Sequence, residues 1–166
     1  TNETAEELYI KNEGQSCYVC KTSLYSVLQA VVQTARTESQ NLPVVLFNGT
    51  NKDDKKDSTR EGLKAATEFH VASPIDELTK EEVRIVAREL GLPNHAHAAS
   101  PCLRSRLAYG VPATANNLHR IEEAELIVRD VIKPEIHHNL RVRQMRDGSA
   151  RVELDEIGRA SCRERV

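Results

Sequence analysis

The sequence predicts an α/β fold in which a parallel sheet with covering helices is followed by a smaller α+β domain. Residues 42–47 form a short, continuous apolar run, the pattern of a strand buried on both faces of a parallel sheet. Between residues 21 and 92 the patterns follow the order helix, strand, helix, strand, helix, which favours such a sheet. The character of the sequence changes after Pro93. We therefore predict two domains, residues 1–92 and residues 93–156.

Apolar spacing and capping residues define the elements of the first domain. Residues 21–37 keep one apolar helical face, and the predicted strand follows at 43–47. A helix of roughly 59–68 and a short strand near 69–72 come next. The last helix begins with a capping box, in which Thr79 is the cap and a glutamate follows three residues later.

The second domain is predicted to contain one long helix and one hairpin. Thr114 can cap the helix, and Pro134 lies just beyond its end. Residues 140–154 alternate between apolar and polar side chains on either side of an Asp-Gly turn at 147–148, which is the signal of a β-hairpin.

Composition and charge exclude several classes of function. The chain has 23 Lys and Arg against 25 Asp and Glu, which gives no basic footprint for nucleic acid. No apolar run approaches membrane-spanning length and no signal peptide is visible, so we expect a cytoplasmic protein without a membrane partner. Four cysteines in such a chain indicate metal binding or catalysis rather than disulfides.

Both ends of the chain have unusual sequence features. The sequence begins with Thr1, and its one methionine is Met145. Residues 157–166 resemble the in-frame translation of a common sequencing adapter. We therefore expect a non-native tail there and exclude it from the fold. The alternative is a native, basic and disordered tail.

The predicted strand leads into a polar loop, residues 48–57. Ligands of open α/β sheets bind beyond the carboxyl ends of the strands. The loop supplies hydroxyl, amide and carboxylate oxygens, which suit a nucleotide with its Mg²⁺. The candidate ligands are Gly49, Thr50, Asn51, Asp53, Asp54 and Asp57. The alternative is an ordinary Asn-Gly turn with solvated charges.

Three cysteines outside the tail are candidates for metal binding or sulfur chemistry. Cys17 and Cys20 form a CxxC pair immediately before the first predicted helix, where first-turn amides favour thiolates. Alone, this pair fits a redox pair, half of a zinc site or part of an iron–sulfur site. Cys102 lies in a polar loop, and Arg104 and Arg106 favour its thiolate.

Three thiolates suggest a cubane cluster, because they leave one iron open to carry an exchangeable sulfide. A structural zinc site needs four ligands, so zinc also requires His95 or His97, and we expect both to be ordinary loop residues. The remaining histidines show no arrangement typical of ligands; they are His70, His119, His137 and His138.

Two arginines of the predicted hairpin, Arg141 and Arg143, lie on the same face of one strand. Their guanidinium groups could hold one phosphate through paired hydrogen bonds. The alternative is a solvated hairpin face.

In their order and spacing, these motifs resemble the LarE-type ATP-dependent sulfur transferases of the PP-loop ATP pyrophosphatase (adenine nucleotide alpha hydrolase-like) superfamily. The resemblance runs from about residue 8 to residue 155. It is carried by Cys17-Tyr18-Val19-Cys20-Lys21, Asn48-Gly49-Thr50-Asn51-x-Asp53-Asp54, Ser73-Pro74, Thr79-Lys80-Glu81-Glu82-Val83-Arg84, Ala99-x-Pro101-Cys102-Leu103-x-Ser105-Arg106, Tyr109-Gly110 and Arg141-Val142-Arg143.

The resemblance implies an enzyme that activates a carboxylate of a pyridinium mononucleotide with ATP and releases pyrophosphate. A cysteine at the position of Cys102 then delivers sulfur and gives a thiocarboxylate, a precursor of a nickel-pincer nucleotide cofactor. Some members sacrifice the sulfur of that cysteine. Others pass on a sulfide held by a [4Fe–4S] cluster on three cysteines, which correspond to Cys17, Cys20 and Cys102. The 48–57 loop would serve ATP and Mg²⁺, and Arg141 and Arg143 the phosphate of the substrate.

The chain departs from the family pattern at its start. The Ser-Gly-Gly-x-Asp-Ser phosphate loop would precede Thr1, so the resemblance implies an N-terminal truncation. Residues 1–92 would then be the C-terminal part of the ATP-binding domain, and this chain alone would not hydrolyse ATP. Residues 58–62 also differ from the Arg-Pro-Gly run that is commoner in the family.

Two alternatives stay open at this point. One is another PP-loop enzyme that thiolates tRNA or forms an amide, although the near-balanced charge argues against tRNA. The other is a non-catalytic module that binds an iron–sulfur cluster or zinc. In the leading interpretation the partner is a small nucleotide, and a homo-oligomer is left open.

Overall fold

The structure, a computed structural model, describes residues 2–38, 44–57, 60–133 and 138–154. The predicted tail at 157–166 therefore lies outside the described residues, as do the first positions of the predicted strand and of the second predicted helix. The chain forms two compact units. Unit 1 consists of Thr1–Tyr9 and Gly14–His95, and unit 2 of Ile10–Glu13 and Ala96–Val166. The described fold is mixed α/β.

Unit 1 is mainly helical. A short 3-10 helix at Glu3–Ala5 is followed by α1 (Glu7–Lys11), whose last two residues belong to unit 2. The further helices of unit 1 are α2 (Ser16–Glu38), α3 (Lys52–Lys56), α4 (Gly62–Glu68) and α5 (Lys80–Glu89). The core lies where α2 packs on α4, around Tyr25, Ala65 and Ala66. Tyr25 also contacts Phe69, with ring centroids 5.8 Å apart.

The predicted pair of strands in unit 1 is present as one parallel bridge between Phe47 and Ala72. The amide of Ala72 donates to Leu46 O at 2.9 Å, and the amide of Asn48 donates to Ala72 O at 2.9 Å. The parallel direction agrees with the prediction, but the described residues contain a single bridge here and not a sheet.

The prediction that this strand is buried on both faces is wrong. Val45 and Phe47 are 51% and 66% exposed, whereas Val44 and Leu46 are half-buried. Alternate residues of a strand face opposite sides, and the side chain of Arg36 on α2 reaches the carbonyl of Val44 at 3.2 Å. Among the described residues, the side of Val45 and Phe47 is therefore largely exposed, and the side of Val44 and Leu46 is partly covered.

Helix α2 begins earlier than predicted. Its first residue is Ser16, so Cys17 and Cys20 lie within the helix and not ahead of it. Ser16 is fully buried, and its hydroxyl donates to Tyr9 O at 2.9 Å. The prediction places the start at residue 21 because the regular apolar spacing that it uses begins only at Leu24.

The capping box of α5 is confirmed. The amide of Glu82 donates to Thr79 Oγ1 at 3.2 Å, and the amide of Thr79 donates to Glu82 Oε2 at 2.7 Å. The apolar side of the helix is less buried than its pattern suggests, because Val86 and Leu90 are 45% and 71% exposed.

Unit 2 contains a 3-10 helix at Leu103–Arg106, helix α6 (Ala115–Ile132) and the antiparallel pair β1 (Leu140–Gln144) and β2 (Ala150–Leu154). The predicted helix cap, Thr114, and the predicted hairpin are confirmed. The core consists of residues from α6, from β1 and from the segment between the 3-10 helix and α6: Leu107, Val111, Ala113, Ile121, Leu140 and Val142.

A segment from the start of the chain completes unit 2. Asn12 is 1% exposed, and its Nδ2 donates to Ala108 O at 2.9 Å and to Val111 O at 3.0 Å. The amide of Ala113 donates to Ile10 O at 2.7 Å. Residues 10–13 are therefore built into the second unit. Among the described residues, none of the helices has the length and apolar character needed to cross a membrane.

Candidate functional site

The polar loop of unit 1 opens onto a pocket of about 360 Å³. Helix α2 contributes one wall, the loop after the parallel bridge a second, and α4 with the residues before it a third. The lining residues are Cys17, Lys21, Tyr25, Asn48, Gly49, Thr50, Asp54, Arg60, Gly62, Leu63 and Ala66. The structure thus brings the first cysteine of the CxxC pair to the predicted nucleotide loop.

Asn48 shapes the loop at the end of the bridge. Its Oδ1 accepts hydrogen bonds from the amide of Thr50 at 3.0 Å and from the hydroxyl of Ser73 at 2.8 Å. Because the backbone of Asn48 is also bonded to Ala72, this one side chain ties together the two segments that follow the bridged residues. The loop therefore follows the carboxyl ends of the two bridged segments, and it is at this end of their strands that open α/β sheets bind ligands.

The remaining polar residues of the loop cap helix α3. Asn51 Oδ1 accepts from the amides of Asp53 and Asp54 at 3.0 and 3.1 Å, and Asp54 Oδ2 accepts from the amide of Asn51 at 3.1 Å. Asp57 is the residue that ends the helix. Of the six predicted ligands, Gly49, Thr50 and Asp54 line the pocket, whereas Asn51, Asp53 and Asp57 do not.

Asp53 holds the start of α5. Its two carboxylate oxygens accept from Lys56 Nζ at 2.8 Å and from the amide of Lys80 at 2.8 Å. The hydrogen bond from Lys56, followed by the one from the Lys80 amide, lowers the pKa of Asp53 below its ordinary value. Asp53 is therefore ionised at neutral pH and connects α3 to α5.

Two cations of the pocket were not recognised from the sequence as ligands. Arg60 Nη1 lies 2.7 Å from Asp54 Oδ1, and Lys21 Nζ lies over the ring of Tyr25, 5.9 Å from its centroid. The spacing of Lys21, four residues after Cys17, is the signal that could have placed both on one face of α2. With two cations against one carboxylate, the pocket is suited to an anionic ligand.

Both cysteines of the CxxC pair are half-buried. Helix α4 approaches them closely: a Cβ added at Gly62 would lie 3.3 Å from Lys21 Cγ and 3.6 Å from Cys17 O. Within the described part of the chain, no three His, Cys, Asp or Glu side chains are grouped so that they could hold a metal ion. The i, i+3 spacing of Cys17 and Cys20 on α2 still places two soft sulfur ligands on neighbouring positions.

Cys102, in unit 2, is exposed and caps the 3-10 helix that follows it. Its carbonyl accepts from the amide and the hydroxyl of Ser105 at 3.0 and 2.7 Å. The two arginines predicted to favour its thiolate have other partners: Arg104 Nη1 donates to Asn12 Oδ1 at 3.0 Å, and Arg106 is buried against Glu125 at 2.9 Å. Their predicted action on the thiol stays a prediction.

Of the two hairpin arginines, Arg143 contacts the turn that carries Cys102, residues 102–106. Arg143 Nη1 donates to Ser105 O at 2.7 Å, and its Nε lies 2.8 Å from Glu153 Oε2. Arg141 is directly opposite Glu153 in the register of the two strands, and its Nε is buried without a hydrogen-bond partner among the described residues. Arg143 thus lies beside the Cys102 turn, whereas Arg141 is placed by its pairing with Glu153.

The chain is similar to several known proteins, although no protein-family model matches it. An uncharacterized protein of Synechocystis sp. is 37% identical over 156 residues, covering 93% of this chain and 54% of that protein. An uncharacterized protein of Methanocaldococcus jannaschii is 31% identical over 156 residues, covering 89% and 58%.

One relative has a named activity over the same length. The pyridinium-3,5-bisthiocarboxylic acid mononucleotide synthase of Lactiplantibacillus plantarum is 34% identical over 151 residues, covering 89% of this chain and 50% of that protein. The glutamine-hydrolysing GMP synthase of Clostridium perfringens matches a shorter part, 38% identical over 73 residues, covering 43% and 14%. The chain spans about half the length of the first three relatives.

Proposed function

We propose that the protein is a LarE-type ATP-dependent sulfur transferase. Residues 1–92 belong to a parallel-sheet PP-loop domain that binds ATP, and residues 93–156 to a sulfur-transfer domain. The substrate is a pyridinium-type mononucleotide whose carboxylate is adenylylated and converted to a thiocarboxylate. The observation that carries the proposal is the pocket of unit 1, where Cys17 and the Asn48–Thr50 loop form walls of one cavity.

The charges of the pocket support the ATP half of the reaction. Lys21 and Arg60 are suited to phosphate oxygens, and Asp54, with Thr50 beside it, offers oxygens to Mg²⁺. Attack of the substrate carboxylate on the α-phosphorus of ATP releases pyrophosphate and leaves an acyl adenylate. Neutralising the charge that develops on the phosphates lowers the barrier to that step.

The geometry of unit 2 supports the sulfur half. An exposed thiol at Cys102 can reach a bound substrate, and a thiolate is a strong nucleophile at neutral pH. Arg143 lies at the Cys102 turn through Ser105, so a phosphate held by Arg141 and Arg143 would orient the activated carboxylate towards the sulfur. The relative from Lactiplantibacillus plantarum is named for a thiocarboxylated mononucleotide of this kind.

We also propose that Cys17, Cys20 and Cys102 would hold a [4Fe–4S] cluster. Two of these thiols lie three residues apart on one helix, and the donor set is all sulfur, as such clusters require. When bound, the cluster would supply the exchangeable sulfide. The test is anaerobic iron and acid-labile sulfide analysis of the natural protein and of Cys102→Ser. Iron with matching sulfide, lost in the variant, supports the cluster. An iron-free protein that still transfers sulfur would leave Cys102 as the sacrificial donor.

The experiment that tests the activation step measures pyrophosphate release from ATP by the protein. We expect release that depends on a carboxylated pyridinium mononucleotide and on Mg²⁺. Release that needs ammonia or glutamine in place of that acceptor would instead support an amide-forming enzyme, the alternative favoured by the shorter match to GMP synthase. No acceptor-dependent release at all would overturn both.

A further inference from the structure

The turn that carries Cys102 is held by a buried ion pair that the proposed chemistry does not use. Arg106 and Glu125 are 3% and 8% exposed, and Arg106 Nε donates to Glu125 Oε1 at 2.9 Å. Removing one partner of a buried pair leaves the other charge uncompensated, which is strongly unfavourable. The pair is therefore expected to keep its position, along with the groups bonded to it.

On one side, the pair controls the backbone around Cys102. Arg106 Nη1 donates to the carbonyl oxygens of Pro101 and Cys102, the second at 3.1 Å, and lies 3.1 Å from Ser105 Oγ. The carbonyl of Cys102 thus accepts from the guanidinium as well as from the amide and hydroxyl of Ser105. This arrangement fixes the main chain of Cys102 while its thiol stays exposed.

On the other side, the pair controls the strand of the hairpin arginines. Glu125 Oε1 also accepts from the amide of Val142 at 3.1 Å. Val142 stands between Arg141 and Arg143 in β1, and Arg143 reaches back to Ser105 O. One carboxylate oxygen on α6 is therefore bonded both to the guanidinium that holds the Cys102 turn and to the strand that carries the arginines.

We propose that Glu125 is a positioning residue that sets the separation between the Cys102 turn and the Arg141–Arg143 strand. It acts through Arg106 on one side and through the Val142 amide on the other. The consequence for catalysis rests on the proposed function, because it requires a substrate phosphate on the arginines and a sulfur at Cys102. The geometric coupling itself can be measured without any activity.

Hydrogen exchange of single amides tests separately the connection through Arg106 to the Cys102 turn and the connection to the Val142 amide. In Arg106→Lys, we expect exchange of the Ser105 amide to rise about tenfold or more, since lysine lacks the fork that joins Glu125 to the two carbonyls. The Val142 amide should keep its protection there, because Glu125 remains. In Glu125→Ala both amides should exchange faster, and Glu125→Gln, which retains an acceptor oxygen, should restore part of the protection of Val142.

Ile121→Ala is the matched control, because Ile121 is 3% exposed on the same helix and contributes packing without a bond to the turn. This substitution should raise the exchange rates of the Ser105 and Val142 amides only as far as global unfolding raises the rates of the slowest amides in the unit. If Glu125→Ala does not fold, Arg106→Lys and Glu125→Gln decide the question. The proposal is overturned if the Ser105 amide of folded Arg106→Lys exchanges at an unchanged rate. It is also overturned if that exchange rate rises no more than it does in Ile121→Ala.

A second readout connects the coupling to the reaction. In the natural protein, Glu125→Ala should lower the rate of thiocarboxylate formation at saturating substrate at least tenfold more than Ile121→Ala does. An equal loss in both variants would reduce Glu125 to a structural role and overturn the catalytic consequence. If the unaltered protein forms no thiocarboxylate, the proposed function fails, while the exchange experiment still tests the coupling on its own.

Discussion

Arg60 controls the charge of the pocket in unit 1. It is the partner of Asp54 at 2.7 Å and also lies 3.6 Å from Asp57, so the carboxylate predicted to meet Mg²⁺ is neutralised by a guanidinium in this structure. A ligand that brings its own cation must therefore compete with Arg60 for Asp54, or use Arg60 for its phosphates. The second arrangement fits a nucleotide, because a guanidinium pairs with phosphate oxygens.

Replacing Arg60 should therefore affect binding more than stability. We expect Arg60→Gln to weaken ATP binding to the natural protein about tenfold, or roughly 1.4 kcal/mol, because a phosphate partner is lost. The free energy of unfolding should change by less than about 1 kcal/mol, since the Arg60 side chain is half exposed. Titration calorimetry and urea unfolding measure the two quantities.

Lys64→Gln is the control for Arg60→Gln. Lys64 forms a similar ion pair with Glu61 at 2.7 Å, but it does not line the pocket. Its substitution should leave ATP affinity unchanged. Equal losses of affinity in the two variants would show that general surface charge, and not the position of Arg60, governs binding.

At the scale of elements, the sequence predicts most reliably what neighbouring residues determine. The capping box of α5 and the hairpin of unit 2 depend on residues a few positions apart, and both are present. Burial of Glu125 and inclusion of residues 10–13 in unit 2 depend on partners far along the chain. Such partners leave no local signal, because a glutamate on a helix ordinarily faces solvent.

The start of α5 gives a pH-dependent prediction. Asp53 and Glu82 both bond amides at this end of the helix, and those bonds help to lower the pKa of each carboxyl. For Asp53, whose ordinary pKa is 3.8, the stabilisation is present above that value and is lost as the pH falls through the lower pKa of the folded state.

Asp53→Asn should therefore be less stable than the original protein at neutral pH, and the difference should shrink as the solution is acidified below the ordinary aspartate range. Lys56→Gln, which removes the first cause of the shift, should reproduce part of this change. Urea unfolding across the acid range measures the difference. A difference in unfolding free energy that stays constant down to the acid-unfolded state would contradict the assignment.

Asn12 is the residue on which the attachment of residues 10–13 to unit 2 depends. Asn12→Ala should destabilise unit 2 by about 2 kcal/mol or more, because buried carbonyls and Arg104 lose their partner. The backbone of Asn12 has φ 53°, so Asn12→Gly should cost about 1 kcal/mol less than Asn12→Ala.

Asn116→Ala, at an exposed position of α6, is the control for Asn12 and should change stability by no more than about 0.5 kcal/mol. Thermal unfolding of the three variants is sufficient. A harmless Asn12→Ala would mean that the side chain of Asn12 contributes no stability to the unit it contacts.

For the whole molecule, the sequence predicts an α/β chain with a hairpin near its end, and the structure is mixed α/β with that hairpin. It does not predict that Val45 and Phe47 are exposed, because an apolar run indicates that burial is favourable without showing which surface provides it. The same holds for the candidate site. The sequence predicts Cys17, Thr50 and Asp54 as site residues, and they line one pocket. It does not predict the cations beside them, Lys21 and Arg60, because their positions depend on the packing of α2 and α4.

The most direct test of the proposed function is mass spectrometry of the acceptor. The protein would be incubated anaerobically with ATP, Mg²⁺ and a carboxylated pyridinium mononucleotide, in parallel with Cys102→Ala. We expect one carboxylate oxygen of the acceptor to be replaced by sulfur, and no such product from the variant. An unchanged acceptor in the presence of ATP turnover, or equal thiocarboxylate from Cys102→Ala, would contradict the assignment of Cys102 as the site of sulfur transfer.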